Sequence, residues 1–485
     1  MSICASDSQM CRRLAVISRE RVVWVRALEQ DMREYRVKRA ANTIQPKSYS
    51  YATLEKVALR PARFHAATTR HDPRTAPQRS YILPSSPGFL TRAISNVVHG
   101  RWLAVASDKA FDTPNIPVNQ ISWAEAEGKV VLWDLGHGRN AGLGAPVPRL
   151  TVPFNGKALL VDLVALPNST LVFLGYAFGI NRMQSDYEMQ MLDLSDDTVR
   201  LHGGKVQIRA RAIVETTFCR NLVALDVLEG AICVHNFFTK TIGFITCNQI
   251  RSRHGSVGKS IQLTPTSLLL ADPYNFRVYS LPLPPMVPVG IQAAGIILAS
   301  TSELIPLPAD LVPLSVRFLP SPRRAPGDVA TLHVFQPGAR KHTFLHFGCK
   351  PLIFGDAPST THTVPEAASL RGGQTYQSAA VARTMDQMLV LTHTPDGLAV
   401  VAAPMFDNVN AAKVEDSMEG IELDQASHRP FVTVESGWKV LTGSLVGGDG
   451  PRTKRAGVVV DELSARVVLL EARDGRHRVR VIEYV

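Results

Sequence analysis

A chain of 485 residues, 45% hydrophobic and 20% charged, has the composition of a folded globular protein and is too apolar to be a disordered one. Its net charge of +11 does not mark a nucleic-acid-binding protein, because residues 1–80 hold 16 basic and 7 acidic side chains and the remaining 405 residues carry only +2. With 33 glycines and 32 prolines the chain turns often, so long helices are not expected beyond residue 60.

Residues 1–40 read as a basic helical arm. Leu14, Ile17, Trp24, Leu28 and Met32 recur at steps that fit one helix face, and Ser18 interrupts the run where it can cap a second helix. On residues alone this is a helical hairpin that packs on the next domain. Within it, Cys11-Arg12-Arg13-Leu14 is followed ten residues past Leu14 by Trp24. That pattern resembles the second half of an F-box. Proteins of this family dock on the Skp adaptor of a cullin-type ubiquitin ligase (the SCF complex) and present a protein substrate with a second domain. The resemblance implies adaptor contacts from Cys11, Arg12, Leu14, Ile17 and Trp24. It also implies an opening half, Leu-Pro-x-Glu with two apolar helical segments, ahead of Gln9. The sequence begins at Met1 without it, so weak adaptor binding is expected.

Residues 41–80 read as a linker holding one short helix, Thr53 to Leu59, with Leu54, Val57 and Ala58 on one face and Pro61 closing it. Leu54-Glu55-Lys56-Val57-Ala58-Leu59 is similar to the segment that follows the box in fungal F-box proteins. Residues 65–80 are expected to be a loose connector.

From Tyr81 to the end, short apolar runs alternate with turn residues in a loose repeat. Each unit has a strand, a turn and a second strand. Gly100 to Val105 leads to Val130–Leu135, Ser169 to Leu174 leads to Met189–Leu194, Asn221 to Leu225 leads to Ala231–Asn236, and Ser267 to Ala271 leads to Phe276–Leu281. Aligning the second strands on Trp133, Leu192, His235 and Tyr279 gives steps of 59, 43 and 44 residues, with Ala177 to Glu188 as the loop that lengthens the first. A four-stranded propeller blade takes ~40–45 residues. Fainter units follow at Thr331–Phe335, at Gln387–Thr392 with Gly397–Val401, and at Gly457–Asp461 with Arg466–Leu470, before a last strand at Val479–Val485. The expected fold is therefore mainly β: a roughly seven-bladed β-propeller over residues 81–485, preceded by the short α-helical arm. Six or eight blades, or two packed sandwiches, are the alternatives. Trp133-Asp134 and the Gly100-Arg101-Trp102 turn resemble the WD-repeat superfamily and the C-terminal domains of fungal F-box proteins. Only one unit has Trp-Asp, and no Gly-His precedes it, so the buried Asp–His–Ser/Thr network of true WD repeats is not expected.

Motifs for catalysis fail in detail. Arg253 to Ser260 approaches a P-loop, but Arg253 stands where the first glycine belongs and no long helix follows. Gly136-His137-Gly138-Arg139-Asn140-Ala141-Gly142 misses the dinucleotide spacing, and Pro146 and Pro148 stand where a helix should start, so it reads as a loop between blades. The 14 histidines show no metal-ligand spacing, and His342 and His346 fall in a stretch that reads as a strand. Asp407 to Asp424 holds six acids against Lys413 and reads as an acidic insertion. The six cysteines form no C-x-x-C pair and suit a reducing compartment, cytoplasm or nucleus. Neither a secretory signal nor a membrane span is expected, since the uncharged stretch Val278–Ser302 is broken by four prolines. The expected role is protein binding without catalysis, cofactor or metal, and without nucleic acid or membrane partners. Substrate recognition for an SCF ligase is what the resemblance implies, with the substrate protein unknown. A scaffold outside the ubiquitin system is the alternative.

Overall fold

In the computed structural model, seven antiparallel sheets of four principal strands follow one another along the chain. The structure describes residues 19–34, 49–69, 79–109 and 126–136, most of 146–289, and beyond 289 the strands named below with the turn at 463–465. Blade 1 comprises Phe89–Ile94, Trp102–Lys109, Glu127–Asp134 and Val147–Asn155, and blade 2 comprises Lys157–Ala165, Leu171–Gly179, Ser185–Asp193 and Arg200–Ala210. Blade 3 is Ile213–Cys219, Leu222–Val227, Ala231–Asn236 and Thr241–Thr246; blade 4 is Ser260–Leu263, Ser267–Asp272, Arg277–Pro282 and Glu303–Pro306. Blade 5 is Ser315–Leu319, Ala330–Gln336, Lys341–Phe347 and Thr360–Pro365; blade 6 is Ser378–Arg383, Gln387–Thr394, Gly397–Pro404 and Lys439–Val440. The seventh sheet joins Gly457–Asp461, Arg466–Arg473 and Arg476–Glu483 to the early strand Arg79–Ile82. First strands meet first strands between blades 1 and 2, 3 and 4, 4 and 5, 6 and 7, and 7 and 1, which places them at the axis of a seven-bladed β-propeller.

The pattern of burial explains this stacking. A middle strand is covered by neighbouring blades on both faces and must be apolar throughout. In Leu171–Gly179 every residue but Leu171 is buried, whereas the outer strand Arg200–Ala210 is exposed along its first half. Trp102, Leu132, Phe154, Leu163, Leu174, Tyr176 and Phe178 fill the space between blades 1 and 2. Gly128 makes room for this packing, since a Cβ there would lie 2.0 Å from the Phe154 ring.

The ring closes through Arg79–Ile82, which runs antiparallel to Arg476–Glu483 in the register Arg79↔Glu483 to Ile82↔Arg480. Polar side chains stitch other blades together near the axis. Asp108 accepts from the Ala158 amide at 3.1 Å, and Glu215 accepts from Ser260 Oγ at 2.9 Å and the Ile261 amide at 3.0 Å. Ser260 Oγ in turn accepts from the Phe318 amide at 2.7 Å, so one hydroxyl links blades 3, 4 and 5.

The paired strands seen in the sequence are the two middle strands of blades 1–4. Four expectations are corrected. Ala177 to Glu188 is chiefly the hairpin between Leu171–Gly179 and Ser185–Asp193, and its strands lengthen blade 2. The glycine-rich segment after Asp134 lies within blade 1, between its third and fourth strands, rather than between blades. Pro61 does not end the helical region: α2 spans Tyr51–Ala58 and α3 spans Arg60–Thr69, and Pro61 sits in the first turn of α3, where a missing N–H costs nothing. Of the expected connector, 65–80, residues 65–69 continue α3 and residues 79–80 begin the closing strand Arg79–Ile82. In the uncharged stretch after Val278, Val287–Pro288 and Ile296–Ile297 return to the outer edge of blade 3. The stretch before Ser260 that approaches a P-loop, the acidic segment Asp407 to Asp424 and the arm before residue 19 lie outside the described residues.

Asp162, on the first strand of blade 2, accepts from Thr216 Oγ1 at 2.6 Å and Tyr187 Oη at 3.1 Å. Burial pushes its carboxyl up from 3.8 to about 6, against the pull of those two hydroxyls. Between pH 3.8 and about 6 the unfolded chain releases this proton while the folded chain keeps it, so stability falls as pH rises through that window and stays lower above it. Asp162→Asn removes the ionisation and keeps an acceptor for both hydroxyls. The variant should gain about 1–3 kcal/mol at neutral pH, with the gain shrinking towards pH 4. Urea denaturation across this range checks it.

Candidate protein-interaction surfaces

The arm begins with α1, Arg21–Glu34. Ser50 caps α2 by accepting from the Thr53 amide at 3.2 Å, and the αα packing that follows is apolar: Leu28, Tyr49, Leu54, Val57 and Ala58 form a core edged by Trp24, Val25 and Ala27. Trp24, expected as an adaptor contact, is half-buried against this core, and its Nε1 donates to Tyr51 Oη at 3.1 Å. The other expected contacts, Cys11, Arg12, Leu14 and Ile17, lie outside the described residues.

The arm sits at the junction where the ring closes. Burial raises the Tyr49 hydroxyl, against the nearby positive charges of Arg60 and Arg101. Arg60 is 5% exposed, and its Nε and Nη1 have no hydrogen-bond partner among the described residues. Burial lowers it to about 10, with Arg466 pushing the same way and Glu483, Tyr49 and Asp461 opposing. A buried cation left short of partners costs stability, so Arg60→Met should raise the stability of the folded chain by about 1–3 kcal/mol. A thermal melt, paired with proteolysis of the arm, measures this.

Beneath the arm lies a knot of buried charge. Arg466, 2% exposed, donates from Nε to Glu483 Oε1 at 2.9 Å, from Nη1 to Gly100 O at 2.7 Å and Gly136 O at 3.0 Å, and from Nη2 to Leu135 O at 3.0 Å. One side chain of blade 7 thus holds two turns of blade 1. Asp134, the acid of the Trp-Asp pair, takes a fork from Arg101 at 2.7 and 2.6 Å, a bond from Arg149 at 3.1 Å and the Gly136 amide at 2.9 Å. Burial pushes its carboxyl up, but Arg101, the Gly136 amide and Arg149 outweigh that and hold it below the usual range.

These turns join first to second and third to fourth strands. At the other ends of the strands, on the opposite face, blades 1 and 2 enclose an open groove of 580 Å³. Pro153, Phe154, Phe178 and Ile180 form its apolar wall, with Phe154 stacked on Phe178 at 4.9 Å. Asp186 and Glu188 form its base. Asp186 accepts a fork from Arg209 at 2.9 and 3.1 Å and a bond from Gln207, while Glu188 accepts from Tyr176 Oη and pairs with Lys205. Burial raises the Tyr176 hydroxyl, and the Glu188 charge adds to that. The pairing follows from register, since Asp186 lies opposite Arg209 and Glu188 opposite Gln207 on adjacent antiparallel strands. The sequence carries this signal as acids at alternate positions, 186 and 188, facing bases at 205 and 209. Treating 177–188 as a loop hides it.

Among the described residues no group of three His, Cys, Asp or Glu side chains is placed to hold a metal ion, and no helix is long and apolar enough to cross a membrane. Cys219 and Cys233 are buried cysteines.

No protein-family model matches the chain, and no curated protein does. Among solved structures, a chain of a mitotic checkpoint complex is similar over 86% of this chain and 96% of that one, at 10% identity and a TM-score of 0.41. A chain of a humanised mutant of Chaetomium thermophilum polycomb repressive complex 2 is similar over 84% and 97%, at 9% identity and 0.47. The WD40 domain of SCAP from fission yeast is similar over 84% and 98%, at 11% identity and 0.35. The class of protein is defined by its own topology: seven four-stranded sheets, the last completed by the strand Arg79–Ile82.

Proposed function

We propose that this chain is a non-catalytic protein-interaction module. The observation that carries this reading is its division of labour between two faces: a helical arm anchored at the closure junction, and an open groove with fixed charges on the opposite face. Such a molecule can hold one protein through the arm and another through the propeller.

In its finer form the reading is a substrate receptor of a cullin-type ubiquitin ligase, acting in the cytoplasm or nucleus, with the arm towards a Skp-type adaptor. Cys11-Arg12-Arg13-Leu14 with Trp24 supports it, as does an arm that builds a small core of its own. Titration calorimetry with purified adaptor tests it, using this chain and a version with the family's opening half grafted before Gln9. The grafted chain is expected to bind tightly and the ungrafted chain far more weakly, since few apolar anchors carry most of an interface's energy. A grafted chain that does not bind would remove the ligase reading. A scaffold outside the ubiquitin system is the second reading, favoured by Trp24, whose ring is turned into the arm's own core.

A further inference from the structure

We infer that the groove between blades 1 and 2 receives an arginine side chain from an extended segment of a partner protein, which displaces the resident cations Arg209 and Lys205. This rests on the reading of the propeller as a protein-binding module and names the chemistry of what that face binds.

Two features of the groove point to a cation. Its carboxylates are fixed and buried, with side-chain exposures of 3% for Asp186 and 7% for Glu188. Their counter-charges are not buried: Arg209 is 64% exposed and Lys205 44%, both on the outer edge strand of blade 2. A buried carboxylate cannot be left without a counter-charge, but a counter-charge that stands in solvent can be exchanged for another without opening the fold. The site therefore demands a cation, and the ones it holds are within a partner's reach. A competing cation that also gains apolar contact would take their place.

The geometry specifies the kind of cation. Arg209 presents Nε to Asp186 Oδ1 and Nη2 to Oδ2, so the carboxylate already displays both oxygens in the plane a guanidinium needs. Phe154 stacked on Phe178, with Pro153 and Ile180, offers an apolar wall on which the stem and flat head of an arginine lie better than a compact ammonium. Gln207 and Asn155 add polar groups at the rim that can bond the main chain of an extended segment. An anionic ligand would meet the two buried carboxylates, with only cations already paired to them to receive it.

The test is fluorescence anisotropy with the full chain at low salt. The probes are three labelled octapeptides of glycine and serine with one central arginine, lysine or glutamate. The arginine peptide is expected to bind best, the lysine peptide less well and the glutamate peptide not at all. Asp186→Asn should weaken the arginine peptide at least tenfold, and Glu188→Gln should weaken it to a smaller extent. Arg209→Ala should tighten it several-fold, because the resident competitor is gone; the variant leaves Asp186 without its fork and so melts lower than the parent, and thermal melts set a temperature at which every variant is folded. Three results would overturn the inference: an Arg209→Ala variant that binds the arginine peptide no better than the parent, a glutamate peptide that binds and is lost on Arg209→Ala or Lys205→Ala, or an arginine peptide that binds none of the folded variants. If that happens while the grafted chain still binds its adaptor, the interaction-module reading stands and only this assignment falls.

Discussion

Arg466→Met is expected to destabilise the protein by about 3–5 kcal/mol, although methionine fills nearly the same space. The loss comes from what stays behind. Glu483 is 4% exposed and would keep a buried charge without Arg466, while the carbonyls of Gly100, Leu135 and Gly136 would each lose a donor. Arg466→Lys should recover little, because one ammonium cannot reproduce a planar fork aimed at four oxygens. Since these bonds tie blade 7 to blade 1, the early signs of unfolding should appear at the closing sheet. Hydrogen exchange on Arg476–Glu483, with urea denaturation for the total, reads both quantities.

Asp134→Ala should be nearly as costly, again about 3–5 kcal/mol, because it takes the bidentate carboxylate partner from the guanidinium of Arg101, which is 9% exposed on its side chain and lies 4.7 Å from the Trp102 ring centroid. Arg149 suffers less, since it is 36% exposed and can turn to water. The pH dependence has a definite sign. Asp134 titrates below 3.8 in the folded chain, so its stabilisation is fully present above that value and is lost as pH falls through the lower, folded value. The difference between parent and variant should therefore be flat near neutrality and narrow in acid. The two knots meet at Gly136, whose amide bonds Asp134 and whose carbonyl bonds Arg466. The double variant should fall short of the sum of the singles, which a double-mutant cycle would show.

The fold was legible in the sequence where physics forces a continuous apolar run. Leu171–Gly179, Ala231–Asn236 and Ser267–Asp272 are covered on both faces, and runs of that kind mark the repeat and the number of blades. First and fourth strands have one side at the axis or the rim, and their composition blends into loops. Arg79–Ile82 shows why: its burial is slight, and it becomes a strand only because Arg476–Glu483 presents an open edge. The charge knots were less legible. Arg466 reads in sequence as one more exposed arginine, and nothing local says that turns more than 300 residues away will supply its acceptors. The Trp-Asp pair drew attention to Asp134 through a family pattern, whereas its partners, Arg101 and Arg149, are set by strand register. The groove's acids and bases alternate in the sequence, but only their register makes them a site.

The closing strand has a consequence for how the protein is made. Arg79–Ile82 leaves the ribosome about 400 residues ahead of the strand it pairs with, Arg476–Glu483. At ~5–20 residues per second, the wait is on the order of tens of seconds. Throughout it the first blade is exposed on the side where the seventh will dock, with Leu103, Val105 and Trp133 bare to solvent until Val468, Leu470, Val479 and Val481 arrive. Nascent chains paused in that interval are the ones a chaperone must shelter. A premature stop before Arg476–Glu483 would keep the strands of the other six blades and still yield an open ring with an unpaired edge, the kind of surface on which chains join one another.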